Sequence, residues 1–125
     1  MSTTHGSIIF GYDVESASEA TKGFLQGAQQ LHQKHNVPWT IYVTGQTLSA
    51  RAEDIREVMD EPLLSIGQHT FNHVLLKSIY MRPDDGKPIH GNSPNFFHQG
   101  GTLEQIQQDF HSSQNLIIDL LKIVC

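Results

Sequence analysis

Apolar residues fall in short runs separated by longer amphipathic stretches. Residues 7–13 gather Ile8, Ile9, Phe10 and Tyr12, a run that predicts a buried strand. Ala17, Ala20, Phe24, Ala28 and Leu31 then recur at spacings of 3, 4, 4 and 3, the apolar face of a helix ending near His35 and Asn36. Ser16 or Ser18 is placed to cap that helix, with Glu19 in its first turn. Pro38 blocks its continuation. Trp39 to Val43 is β-branched and aromatic, a second strand closed by Thr44 and Gly45. A second helix is predicted over about 47–60, with Leu48, Ile55, Val58 and Met59 inward and Pro62 beyond its end. Leu63 to Ile66 reads as a third strand.

Residues 77–101 break the pattern. Three prolines, four glycines and the pair Asp84-Asp85 predict a long irregular loop, which is a functional excursion or a surface one. Thr102 then opens a long helix with Leu103, Ile106, Phe110, Ser113, Ile117, Leu120 and Val124 along one face. The order strand-helix-strand-helix-strand-loop-helix predicts an α/β protein with parallel strands and right-handed crossovers. Three parallel strands make a small sheet with exposed edges, so dimerisation is one expected consequence. No internal repeat is present.

Composition narrows the class. The 125 residues suffice for one domain with one modest core. The net charge is −5 with Lys and Arg scattered, which argues against nucleic acid or an anionic membrane as the main partner. The single cysteine, Cys125, allows neither an internal disulfide nor a cysteine-built zinc site. The first residues carry no basic segment, and Ile8-Ile9-Phe10 is too short for a signal peptide or a membrane span. The expectation is therefore a soluble cytoplasmic protein. Of the eight histidines, His5, His32, His35 and His111 read as polar or surface positions.

His69 and His73 stand out. They follow the third strand in the run Gly67-Gln68-His69-Thr70-Phe71-Asn72-His73. On a helical turn two imidazoles four apart share a face, roughly 6 Å apart along the axis, and can reach one metal ion. Thr70 is placed to cap such a turn. The spacing also arises by chance, and alone it favours two unrelated polar residues. Asp13 and Glu15 follow the first strand and, two apart on an extended chain, point to the same side. Two carboxylates there can divide roles, one holding metal and one taking a proton from water; equally, they can be the acidic start of a helix. Both sets fall at the carboxyl ends of strands, where ligands gather in α/β sheets. Two imidazoles and a carboxylate are the donors of a catalytic zinc site with an open position.

On these motifs the chain resembles the polysaccharide deacetylases of the NodB-homology type, carbohydrate esterase family 4. That family opens with an apolar strand ending in an acidic motif, matched here by Gly11-Tyr12-Asp13-Val14 and Glu15. It continues through a strand resembling Val37-Pro38-Trp39-Thr40-Ile41-Tyr42-Val43-Thr44-Gly45, then His-Ser/Thr-x-x-His, matched by His69 to His73. The resemblance covers nearly the whole chain apart from 77–101. It implies a partial (β/α) barrel of about three parallel strands with flanking helices, a single incomplete NodB-homology-like domain over 1–125. It further implies His69, His73 and Glu15 as ligands of a divalent metal ion such as zinc, and Asp13 as the catalytic base.

Two departures qualify what the resemblance implies. The family usually has adjacent aspartates, whereas position 14 is Val, so Glu15 would take the ligand role one residue late. The other register makes Asp13 the ligand and leaves no base. The family's later Arg-Pro-Pro-Tyr segment and late histidine have no match in these residues. The implied activity is hydrolysis of a non-peptide C–N bond, with an N-acetylated glycan as substrate. The alternatives are a cytoplasmic hydrolase of small amides and a truncated, non-catalytic metal-binding remnant. Within 77–101, His90 and His98 are candidate extra ligands, although a surface excursion without a catalytic part is favoured there.

Overall fold

The computed structural model describes residues 6–81 and 96–123. Three strands, β1 (Phe10–Val14), β2 (Trp39–Val43) and β3 (Leu64–Gln68), form a parallel sheet in the order β1-β2-β3. The connecting helices are α1 (Ala20–His35) and α2 (Gly45–Met59). Two three-residue strands follow, β4 (Ile79–Met81) and β5 (Phe96–His98), and then α3 (Leu103–Leu121). The chain is thus an α/β fold with its helices flanking a parallel sheet, as the periodicity predicts.

Alternation along β2 builds the core. Trp39, Ile41 and Val43 are buried on the helix-covered face, while Thr40 and Tyr42 point the other way. They pack with Val14, Leu25, Ala28, Leu48, Ile55, Val58, Ile117 and Leu121. On the opposite face the Tyr42 ring lies between Gly11 and Gly67. A β-carbon at Gly67 would stand 2.8 Å from that ring, so the glycine gives the ring its room.

Several expectations change. β1 begins at Phe10, and Ile8 and Ile9 precede it at 81% and 87% exposed. The face of α1 is rotated by about one residue: Thr21, Leu25, Ala28 and His32 are buried, whereas Phe24 and Leu31 are 37% and 55% exposed. Neither serine caps α1 with its side chain; its N-cap is Glu19, without a side-chain cap bond. His32 is a core residue rather than a surface one. Its Nδ1 pairs with the Val37 carbonyl at 2.9 Å and its Nε2 with the Tyr12 hydroxyl at 2.9 Å. Its ring stacks on Trp39 with centroids 5.0 Å apart. Both polar atoms are satisfied, which is what allows a histidine into an apolar core. On α3 the buried face is Asp109, Ser113, Ile117 and Leu121, while Leu103 and Phe110 are exposed. Thr102 does cap that helix, in a reciprocal capping box with Gln105. The stretch 77–101 is not wholly irregular, because β4 and β5 pair antiparallel within it. Asp84, Asp85 and His90 lie outside the described residues, as does Cys125. Among the described residues no helix is long and apolar enough to cross a membrane.

Candidate metal centre

The parallel register sets the site. Val14 pairs with Val43, and Val43 with Gln68. Glu15, Thr44 and His69 are therefore the next residues past three level strand ends. Val14 is 4% exposed and packed in the core, so the residues on either side of it, Asp13 and Glu15, leave the strand on the face away from the helices.

Glu15 Oε1 meets His69 Nε2 at 2.8 Å and His73 Nε2 at 3.3 Å. The two imidazole centroids are 4.7 Å apart, and the three donor atoms all lie within 4.8 Å of one another. The site is open, with the side chains of His69, His73 and Glu15 27%, 49% and 47% exposed. Two imidazole nitrogens and one carboxylate oxygen converging on one point fit a divalent ion that keeps an open position for substrate or water.

The histidines are not on a helical turn. Residues 69–73 form an irregular loop in which Thr70 and His73 have φ of 59° and 58°. Two left-handed residues fold the loop back so that both rings face Glu15, and Thr70 supplies one of these turns rather than a helix cap. The loop is held from two sides. On one side the first amides of α2 donate to it, Gly45 to the Thr70 carbonyl at 2.9 Å and Gln46 to the Phe71 carbonyl at 3.2 Å. These are N-terminal amides with no partner inside their own helix. Gln46 Nε2 also donates to Asn72 Oδ1 at 2.8 Å.

On the other side stands Asp109 of α3, 4% exposed. It accepts from the Asn72 amide at 2.9 Å and 3.1 Å, from Asn72 Nδ2 at 2.9 Å, and from the Val74 amide at 3.3 Å. Burial pushes its carboxyl up. The donors from Asn72 and Val74, with Thr70 close by, outweigh that and hold it below the ordinary 3.8. Asp109 escapes a reading of the sequence because it sits among polar residues of a helix. Its place on the line of Ser113 and Ile117, spaced 4 and 4, was the available signal.

Asp13 is exposed on the open face of β1, level with Tyr42, and is not a member of the three-atom cluster. With Glu15 it borders one hollow of about 280 Å³, whose wall includes Tyr12, Ser16 and Phe24. A larger cleft of about 850 Å³ runs from His73 and Asn72 past Gln99, Thr102, Gln105, Gln108 and Ser112. His98, at the end of β5, lines this cleft and does not join Glu15, His69 and His73.

Comparison with known proteins agrees with this architecture. The polysaccharide deacetylase family profile matches residues 3–123, and the chain belongs to that family. A carbohydrate esterase family 4 pseudoenzyme from Bacillus anthracis, BA3943, superposes with a TM-score of 0.62 at 13% identity, over 93% of this chain and 32% of its own. A mutant of that protein described as having restored enzymatic activity superposes equally, at 0.62 and 13% identity, over 93% of this chain and 34% of its own. PdaA of Bacillus subtilis, a family 4 carbohydrate esterase, gives 0.57 at 20% identity, over 94% of this chain and 38% of its own. The chain therefore spans about a third of the length of these structures and has their NodB-type fold as a partial barrel. No curated protein gives a significant match.

Proposed function

We propose that this chain carries the metal-holding part of an N-deacetylase site acting on an N-acetylated glycan. The observation that supports this most directly is the convergence of Glu15 Oε1 with the Nε2 atoms of His69 and His73. Those three groups hold the ion, and zinc suits two imidazoles and a carboxylate. A bound ion would supply Lewis-acid chemistry, polarising the acetamide carbonyl. Asp13, on the same side of β1 as Glu15, accepts the proton of the attacking water. Hydrolysis breaks the C–N bond, leaving acetate and a free amine. Asp13 and Glu15 thus divide the roles that adjacent aspartates usually fill in the family, with Val14 turned into the core between them.

The cleft beside His73 supports the choice of substrate. Its wall is rich in amides and hydroxyls, from Asn72, Gln99, Gln105, Gln108, Thr102 and Ser112. Such a lining suits a neutral, hydroxyl-rich chain better than a small amide, which would leave most of about 850 Å³ unfilled. A second reading is a metal-binding protein without turnover. One observation favours it: the similar Bacillus anthracis protein is itself described as a pseudoenzyme.

Acetate release from N-acetylglucosamine oligomers by zinc-loaded protein decides between these readings. Release that is abolished by Asp13→Asn is the expected result. Release unaffected by Asp13→Asn removes Asp13 as the base. Zinc binding without release selects the non-catalytic reading, and turnover of small amides but not sugars selects a different substrate class.

A further inference from the structure

His73 holds a left-handed backbone, φ 58°, between two residues fastened to the same carboxylate. Asp109 accepts from the amide of Asn72 on one side of His73 and from the amide of Val74 on the other. It also takes the side-chain amide of Asn72, whose oxygen is held in turn by Gln46. A residue with a β-carbon keeps this conformation only where its surroundings over-determine it. With no carboxylate beneath the loop, the amides of Asn72 and Val74 would be left to find other partners. The backbone at His73 would then relax toward the ordinary region and carry the imidazole away from Glu15.

We propose that Asp109 is the positioning residue for His73: from α3 it clamps the two residues flanking His73 and so fixes the direction in which that imidazole points. This rests on the reading of Glu15, His69 and His73 as a metal site. Asp109 acts through the backbone and does not belong to the donor cluster. A role confined to docking α3 would be indifferent to whether His73 is present. A positioning role depends on it.

The test is a double-mutant cycle on zinc affinity, measured by competition with a chromophoric chelator on the full chain. Its corners are the wild type, Asp109→Asn, His73→Ala and the double variant. Far-UV circular dichroism confirms that each is folded. Asp109→Asn is expected to weaken zinc binding by about 10- to 100-fold, as loss of groups that orient metal ligands does. It should weaken binding no further once His73 is alanine. Wild-type affinity in Asp109→Asn, or an equal loss with and without His73, overturns the proposal. If His73→Ala alone leaves affinity unchanged, the metal-site reading fails and the proposal falls with it. Should Asp109→Asn not fold, Asn72→Ala removes one donor to Asp109 and keeps the backbone ones. It should give a smaller loss that again disappears in the His73→Ala background, and an equal loss in both backgrounds overturns the proposal.

Discussion

Gly45 and Phe71 show how single residues shape the site. Gly45 opens α2 while its amide holds the Thr70 carbonyl, and the Phe71 ring lies against the place a β-carbon would take. Alanine at 45 must displace that ring, an overpacking that typically costs about 1–3 kcal/mol. Because Phe71 lies between the two histidines in sequence, Gly45→Ala should lower both thermal stability and zinc affinity. Calorimetry with a zinc titration checks this, and a stable variant of unchanged affinity would show that the loop tolerates the shift. At this scale the sequence was partly readable. The spacing of His69 and His73 and the carboxylate of Glu15 past the first strand are in the sequence, and the structure brings these three side chains together, while Asp13 stays outside the cluster. The left-handed turns at Thr70 and His73 were hidden, because neither residue is glycine and a positive φ is uncommon outside glycine. His32 was hidden for a related reason. A histidine enters a core only if both ring nitrogens find partners, and those partners, Tyr12 and Val37, are set by the tertiary fold.

Elements place these residues by register. Glu15 and His69 follow strands that do not pair with each other, and they meet because both strands pair with β2 so that Val14, Val43 and Gln68 are level. A slip of one residue in either pairing would turn one donor into the helix layer. The existence of the three strands was legible from their apolar runs, but the register was not, since it depends on how β2 is buried on one face only. The buried face of a helix is ambiguous in the sequence where two apolar lines compete. On α1 the line of Phe24 and Leu31 carries the larger side chains, yet the line of Leu25 and His32 meets the sheet.

Helix α3 adds a pH dependence. Asp109 is held below its ordinary 3.8 in the folded chain. A carboxyl whose folded value is depressed contributes its full stabilisation above the unfolded value and loses it as pH falls through the folded one. Urea unfolding should therefore show Asp109→Asn less stable than the wild type at neutral pH, with the gap narrowing below pH 3.8. A gap that does not change with pH would contradict this account of Asp109.

The described residues form one wall of a barrel, with α1, α2 and α3 packed on one side of it. The core joins all three helices to one sheet face, while the other face carries Gly11, Asp13, Tyr42 and Gly67, with Tyr42 41% exposed. That division sends the chemistry-bearing residues to the open face and the carboxyl ends of the strands. It also explains why the order of motifs, more than any one of them, pointed to the family. Spacing alone gives a histidine pair no direction, but a pair placed past β3 and a carboxylate past β1 share one end of one sheet.

Glu15, His69 and His73 are proposed as a single site for one divalent ion. The direct measurement is equilibrium dialysis of chelator-stripped protein against zinc, with elemental analysis of the bound metal. About one tightly held zinc per wild-type chain is expected, and a clearly lower content at the same free zinc in His69→Ala, His73→Ala and Glu15→Gln, which keep two of the three donors and bind more weakly. Zinc content unchanged in the two histidine variants would contradict this assignment.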